Sequence, residues 1–155
     1  MIIDKRNEFA DAVSLNTGAA GTYTIGDQID LGTAAANMGA EDELYLVINV
    51  DTGIAAGSAG SVTFQLVSAE DAALTTNPVV HYQTAAFTTG TGTGTGTLKA
   101  GTLLAAVKVP QGFDYKRYLG VRQVTGTAAI TAGKVNAFLT PDIAMWRAYD
   151  SPSQA

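Results

Sequence analysis

From Glu43 to Asp51 the chain alternates without a break. Leu44, Leu46, Ile48 and Val50 fall on one side, and Glu43, Tyr45, Val47 and Asn49 on the other. A period of two over eight residues is an extended strand with one strongly apolar face, and such a face needs a second layer to cover it. Ser61–Ala69 repeats the pattern with Val62, Phe64 and Leu66 inward. Shorter β-type runs follow at Val79–Gln83, Ala86–Thr88, Leu103–Val109, Arg117–Thr125 and Lys134–Leu139. Upstream, Thr22–Ile25 and Gln28–Leu31 read as two short strands about a Gly26-Asp27 turn. About eight short strands separated by turn signals, with no sustained helical period, predict an all-β antiparallel sandwich. A jelly roll is the first choice of topology and an immunoglobulin-like sandwich the alternative, because strand count does not separate them.

The punctuation divides the chain into three. Residues 1–21 read as an N-terminal arm. In it Phe9 and Val13 stand four apart, the spacing of one helical turn, but nothing continues the period. Whether the arm docks on its own domain or on a neighbour stays open from sequence. Residues 22–141 hold the strands, and 142–155, opened by Pro141, form a C-terminal tail with one short helical stretch over Ile143–Tyr149. Thr52–Gly60 and Gly126–Gly133 read as connections. The strict Gly/Thr alternation of 89–97 is a low-complexity loop, expected to be mobile because glycine loses so much backbone entropy on ordering.

At 155 residues the chain fits one domain able to bury about 68–70% of its unfolded surface without staples. It has no cysteine, which removes disulfides, thiolate metal sites and thiol chemistry. Charged residues make up only 15%, against an ordinary figure of about 25%. Ala, Gly and Thr take their place, giving the weakly solvated surface that suits packing against other protein copies. The net charge is −5, and the nearest approach to a basic cluster is Lys116-Arg117 with Arg122. Nucleic acid is therefore not an expected partner. Nor is a membrane: Met1–Arg6 places charges where a signal peptide needs an apolar core, and no apolar run approaches the ~18 residues of a span.

No constellation points to catalysis. His81 is the sole histidine, set between Val80 and Tyr82 in a strand, where a hydrogen-bonded structural role is the expectation. Glu41-Asp42-Glu43 and Asp27 with Asp30 lack the spacing and glycine turn of a calcium loop and read as solvated acids at strand ends. The Gly/Thr tract holds no Gly-Lys-Ser/Thr and no G-x-G-x-x-G, and no G-x-S-x-G elbow occurs anywhere. The expectation is a non-enzyme with no cofactor and no metal. Aromatic residues gather late instead, at Tyr115, Tyr118, Phe138, Trp146 and Tyr149. A Trp and a Tyr beyond the last strand are either interface anchors or a tail folded over one end of the sandwich.

Two segments carry a resemblance. Arg117-Tyr118-Leu119-Gly120-Val121-Arg122 followed by Thr131-Ala132-Gly133-Lys134-Val135-Asn136-Ala137-Phe138-Leu139 resembles the C-terminal half of the capsid cement (decoration) proteins of tailed bacteriophages. Asn7–Ala12 with Gln28-Ile29-Asp30-Leu31-Gly32 is similar to their opening. The resemblance implies a jelly roll that binds the outer surface of an icosahedral head and bridges major capsid protein subunits. Such a protein is made in the host cytoplasm, resides in the virion and brings no catalytic residues. Its expected partners are the major capsid protein and itself, as a homodimer by the commonest symmetry or else a trimer. Ile2, Ile3 and Phe9 of the arm and Met145, Trp146 and Tyr149 of the tail are the candidate inter-subunit contacts. A carbohydrate-binding or adhesin-like sandwich and a minor head or tail component are the alternatives.

Overall fold

The computed structural model describes residues 5–33, 43–89 and 98–144. Among these residues a short 3₁₀ turn, Lys5–Asn7, leads into nine strands: β1 Glu8–Ser14, β2 Gly21–Asp30, β3 Tyr45–Ala56, β4 Gly60–Ala69, β5 Val79–Gln83, β6 Phe87–Thr89, β7 Leu103–Lys108, β8 Tyr118–Gly126 and β9 Ile130–Thr140. They form two sheets, β1-β9-β3-β7 and β2-β8-β4-β5, with β6 also on β4. Every pairing is antiparallel.

The pairing is nested. β1 meets β9, β2 meets β8, β3 meets β7, and β4 meets the broken strand β5/β6. A long antiparallel ribbon is thus rolled up so that successive strands change sheet, which is the jelly-roll winding. An immunoglobulin-like order does not nest in this way, so the topology decides between the two sandwiches named by the sequence. The core between the sheets is built from the alternating residues. Leu46, Ile48 and Val50 of β3, Val62, Phe64 and Leu66 of β4, Leu119 and Val121 of β8, and Val135, Ala137 and Leu139 of β9 are all buried.

The structure revises several boundaries, each for a local reason. β1 belongs to the sandwich. Two register shifts against β9 let Phe9, Ala10 and Leu15 all reach the core, and the four-residue spacing of Phe9 and Val13 comes from this bulged strand and not from a helical turn. Thr22–Ile25 and Gln28–Leu31 form one strand, bent at Gly26, where φ is +61° and the register against β8 shifts. A Cβ at Gly26 would overlap the carbonyl oxygen of Phe9, so the glycine permits the close approach of β2 to β1 that shuts this side of the sandwich. β3 runs on through Thr52-Gly53, and β9 starts at Ile130, because Thr52↔Lys134 and Ala55↔Ala132 still pair across register shifts. The Gly/Thr residues 90–97 and the tail from 145 onward lie outside the described residues.

Candidate interaction surface

The four sheet edges are unequal. β1 and β2 lie against each other, contain irregular pairings, and carry Glu8, Asp11, Asp27 and Asp30. β7 ends on Lys108, which is 2.8 Å from Glu43. β5, with the sequence Val79-Val80-His81-Tyr82-Gln83, has no Asp, Glu, Lys or Arg; Pro78 stands at its entrance and one register shift against β4 falls at its middle. Natural sheets usually protect a free edge with charge, proline or a bulge, because an open row of backbone groups recruits other strands. Val79, Val80 and Phe113 are the large apolar side chains exposed among the described residues, and all three are on or next to this edge.

The patch rests on an ordered base. Ser68 pairs with Leu119 across the core-facing side of β4 and is fully buried. Its Oγ accepts the Lys116 backbone N–H at 3.0 Å and lies 2.7 Å from His81 Nε2. The hydroxyl that accepts the amide keeps a second lone pair and its own proton, so it pairs with Nε2 in either neutral tautomer, donating when the imidazole proton is on Nδ1 and accepting when it is on Nε2. The imidazole stacks on Tyr115, with ring centroids 3.9 Å apart at 24°, and meets Phe113 edge-on at 6.3 Å. Tyr115 is in turn buried, and its hydroxyl donates to the Pro110 carbonyl at 2.6 Å. Burial lowers the His81 pKa below the ordinary histidine value and pushes Tyr115 up to about 12. A Ser–His contact alone does not make a nucleophile. Ser68 is closed off from solvent, and among the described residues no carboxylate bonds His81 to orient it.

On its outer side, sheet B (β2-β8-β4-β5) is covered beside the patch by the β4–β5 loop. Leu74 plugs the dimple left by Gly120, where a Cβ would sit 2.7 Å from Leu74 Cδ1. Leu74 holds φ +59°, a left-handed conformation that is strained for leucine. Asp71 receives the N–H groups of Thr75 and Thr76, Arg122 donates to the Leu74 carbonyl, and Lys116 Nζ donates to the Asn77 carbonyl at 2.6 Å. The basic residues that stood together in sequence are therefore dispersed. Lys116 faces Glu70, Arg117 makes a two-pronged contact with Asp30, and Arg122 lies under the loop.

Asp30, expected as a solvated acid, is the partner of Arg117, and the adjacent guanidinium and the Gly32 N–H hold its carboxyl below the usual range. Asp27 and Asp30 line one shallow cleft of about 420 Å³ with Lys5 and Arg6. Among the described residues no group of acids or histidine could hold a metal ion. Of the proposed contact residues, Phe9 needs correction. It is 1% exposed in the core of its own domain and has no surface to offer a neighbour. Ile2, Ile3, Met145, Trp146 and Tyr149 lie outside the described residues. Nothing in the sequence alone singles out Val79, Val80 and Phe113. The absence of charge from β5 was legible, but its position at an edge was not.

The family model described as Bbp16 matches residues 9–139, from the start of β1 almost to the end of β9. The chain belongs to the Bbp16 family. This makes it a phage-related protein. No curated protein matches it. The Bbp16 match takes in the whole rolled ribbon, including Ser68, His81, Phe113 and Tyr115, so the edge and its base lie inside the family domain.

Proposed function

We propose that this Bbp16-family protein is a cement protein, bound to the outer surface of a tailed-phage head and bridging major capsid protein subunits. The observation that carries the reading is the uncharged β5 edge with Val79, Val80 and Phe113 exposed, set on a phage-family jelly roll in a chain poor in charge. An edge of this kind is suited to lie against other protein, through backbone pairing and apolar contact. Each such contact is small. Many copies on one shell act together, because a tethered neighbour binds at high effective concentration. The free protein is proposed to be a homodimer, and the assembled particle its location.

Expanded capsids lacking the protein, titrated with it, provide the test. Saturation at a high, symmetry-related copy number, with better survival of heat or chaotrope, is the expected result. Binding of only a few copies at one vertex, or none, overturns the reading. Val80→Lys combined with Phe113→Ser is expected to lower occupancy at least tenfold while leaving the fold intact, since both side chains already face solvent.

A further inference from the structure

The connection between β7 and β8, residues 109–117, crosses from one sheet to the other and carries Phe113. Besides Lys116 Nζ, which holds the Asn77 carbonyl at the entrance to β5, the loop meets the β5 edge at three points. The Lys116 N–H reaches Ser68 Oγ, Tyr115 stacks on His81, and Phe113 meets the same imidazole edge-on. All three contacts converge on one pair, Ser68 and His81, joined at 2.7 Å. We propose that His81 is a pH-operated latch: neutral, with its proton on Nδ1, it takes the Ser68 proton and fastens the β7–β8 loop to the β5 edge, and protonated, it loosens that hold and disperses the apolar patch.

The reason lies in the proton count at Ser68. With Nε2 unprotonated, the serine accepts one proton from Lys116 N–H and gives its own to the imidazole, so both donors are used. With Nε2 protonated, two donors point at Ser68 Oγ, and the hydroxyl proton loses its acceptor inside a fully buried site. Among the described residues no carboxylate bonds the imidazole to reward the new charge. The ionisable groups on the elements around His81 are Tyr82 on β5, Glu70 just beyond β4, and Asp114, Tyr115 and Lys116 on the loop. Glu70 is turned to Lys116 Nζ at 3.4 Å, and Lys116 itself brings positive charge to the cluster. The sole hydrogen bond of the imidazole is to Ser68, so Asp114 makes none with it. Burial keeps Tyr82 and Tyr115 protonated, so neither supplies a negative charge near neutrality.

The sign follows. The unfolded chain takes up this proton near 6.5, while the folded chain, whose imidazole is desolvated, takes it up only at lower pH. The latch is therefore fully closed above pH 6.5 and loosens as pH falls through the folded value. The inference needs no partner and stands apart from the cement reading. It is tested on the isolated protein, so failure on capsids would not touch it.

Because His81 is the sole histidine, its ring signals in a proton NMR titration report one site without overlap. The expected result is a midpoint below the ordinary histidine value, with hydrogen-exchange protection of the Lys116 amide falling at least tenfold at the same midpoint. In His81→Gln, which keeps a neutral polar side chain, Lys116 protection should no longer change over this pH range. Ser68→Ala should bring the His81 midpoint back toward the ordinary value. An unshifted midpoint, Lys116 protection that ignores it, or an unchanged pH response in His81→Gln would each overturn the proposal.

Discussion

Gly26 shows how much of this fold one residue can decide. It sits at φ +61° with the Phe9 carbonyl where its Cβ would be. Gly26→Ala combines left-handed strain with a backbone overlap that no rotamer relieves, and it is expected to destabilise by about 2–4 kcal/mol. Urea denaturation of the variant checks this. A loss under ~1 kcal/mol would mean that β1 and β2 can separate freely. Gln123 is a second such point. Its buried amide takes the Asn16 N–H on Oε1 at 2.9 Å and returns a proton to the Asn16 carbonyl at 3.0 Å, pinning the β1–β2 connection to the inside of β8. Gln123→Leu keeps the volume and loses both bonds to Asn16 together with the 2.7 Å bond from Nε2 to Thr125 Oγ1. The expected cost is about 1–2 kcal/mol, with hydrogen exchange rising at Asn16 before it rises in β8.

At the scale of elements, the contrast between β4 and β5 matters most. β4 is central, flanked by β8 and by β5/β6, and its inward residues reproduce the period-two reading residue for residue. β5 spans the residues expected, Val79–Gln83, yet its register against β4 shifts between Leu66↔Tyr82 and Val67↔Val80. That shift spares His81 a direct cross-strand partner, and its ring is placed by Ser68 and Tyr115 instead. A charge on the exposed β5 edge touches neither the core nor the latch. Val80→Lys alone is therefore expected to change the unfolding free energy by less than about 0.5 kcal/mol while shifting any self-association toward monomer. Sedimentation velocity beside a urea titration separates the two effects.

For the whole molecule, the first strand is held by the last. β1 pairs with β9, Phe9 sits in the common core, and Leu15 N–H bonds the Gly133 carbonyl at 2.9 Å. Removing residues 1–14 would uncover one side of β9 and open a cavity where Phe9 packs. A loss of at least about 3 kcal/mol, or failure to fold, is expected, read from thermal unfolding of the truncated chain. A freely docking arm would leave stability nearly unchanged. The nested pairing also means that no sheet completes until distant segments meet, so folding is expected on the millisecond-to-second scale of non-local β proteins.

What the sequence determined by itself was the class and most of the strands. Alternation is a local property: Leu46, Ile48 and Val50, or Val62, Phe64 and Leu66, announce a buried face without reference to anything distant. The lone histidine was also legible as a hydrogen-bonded strand residue, whereas Asp30 and Glu43, read as solvated acids, are ion-paired with Arg117 and Lys108, partners distant in the chain. Tertiary structure alone decided that the strands nest as a jelly roll, that β1 is a strand and not an arm, and which edge is left open. Those depend on pairings between residues more than a hundred positions apart, such as Ala10↔Ala137, and on bulges that break the local period where the chain must bend. The candidate surface belongs to this second kind. Val79, Val80 and Phe113 are ordinary apolar residues in the sequence, and they become a patch only because the rolled ribbon ends at β5 and brings the β7–β8 loop beside it.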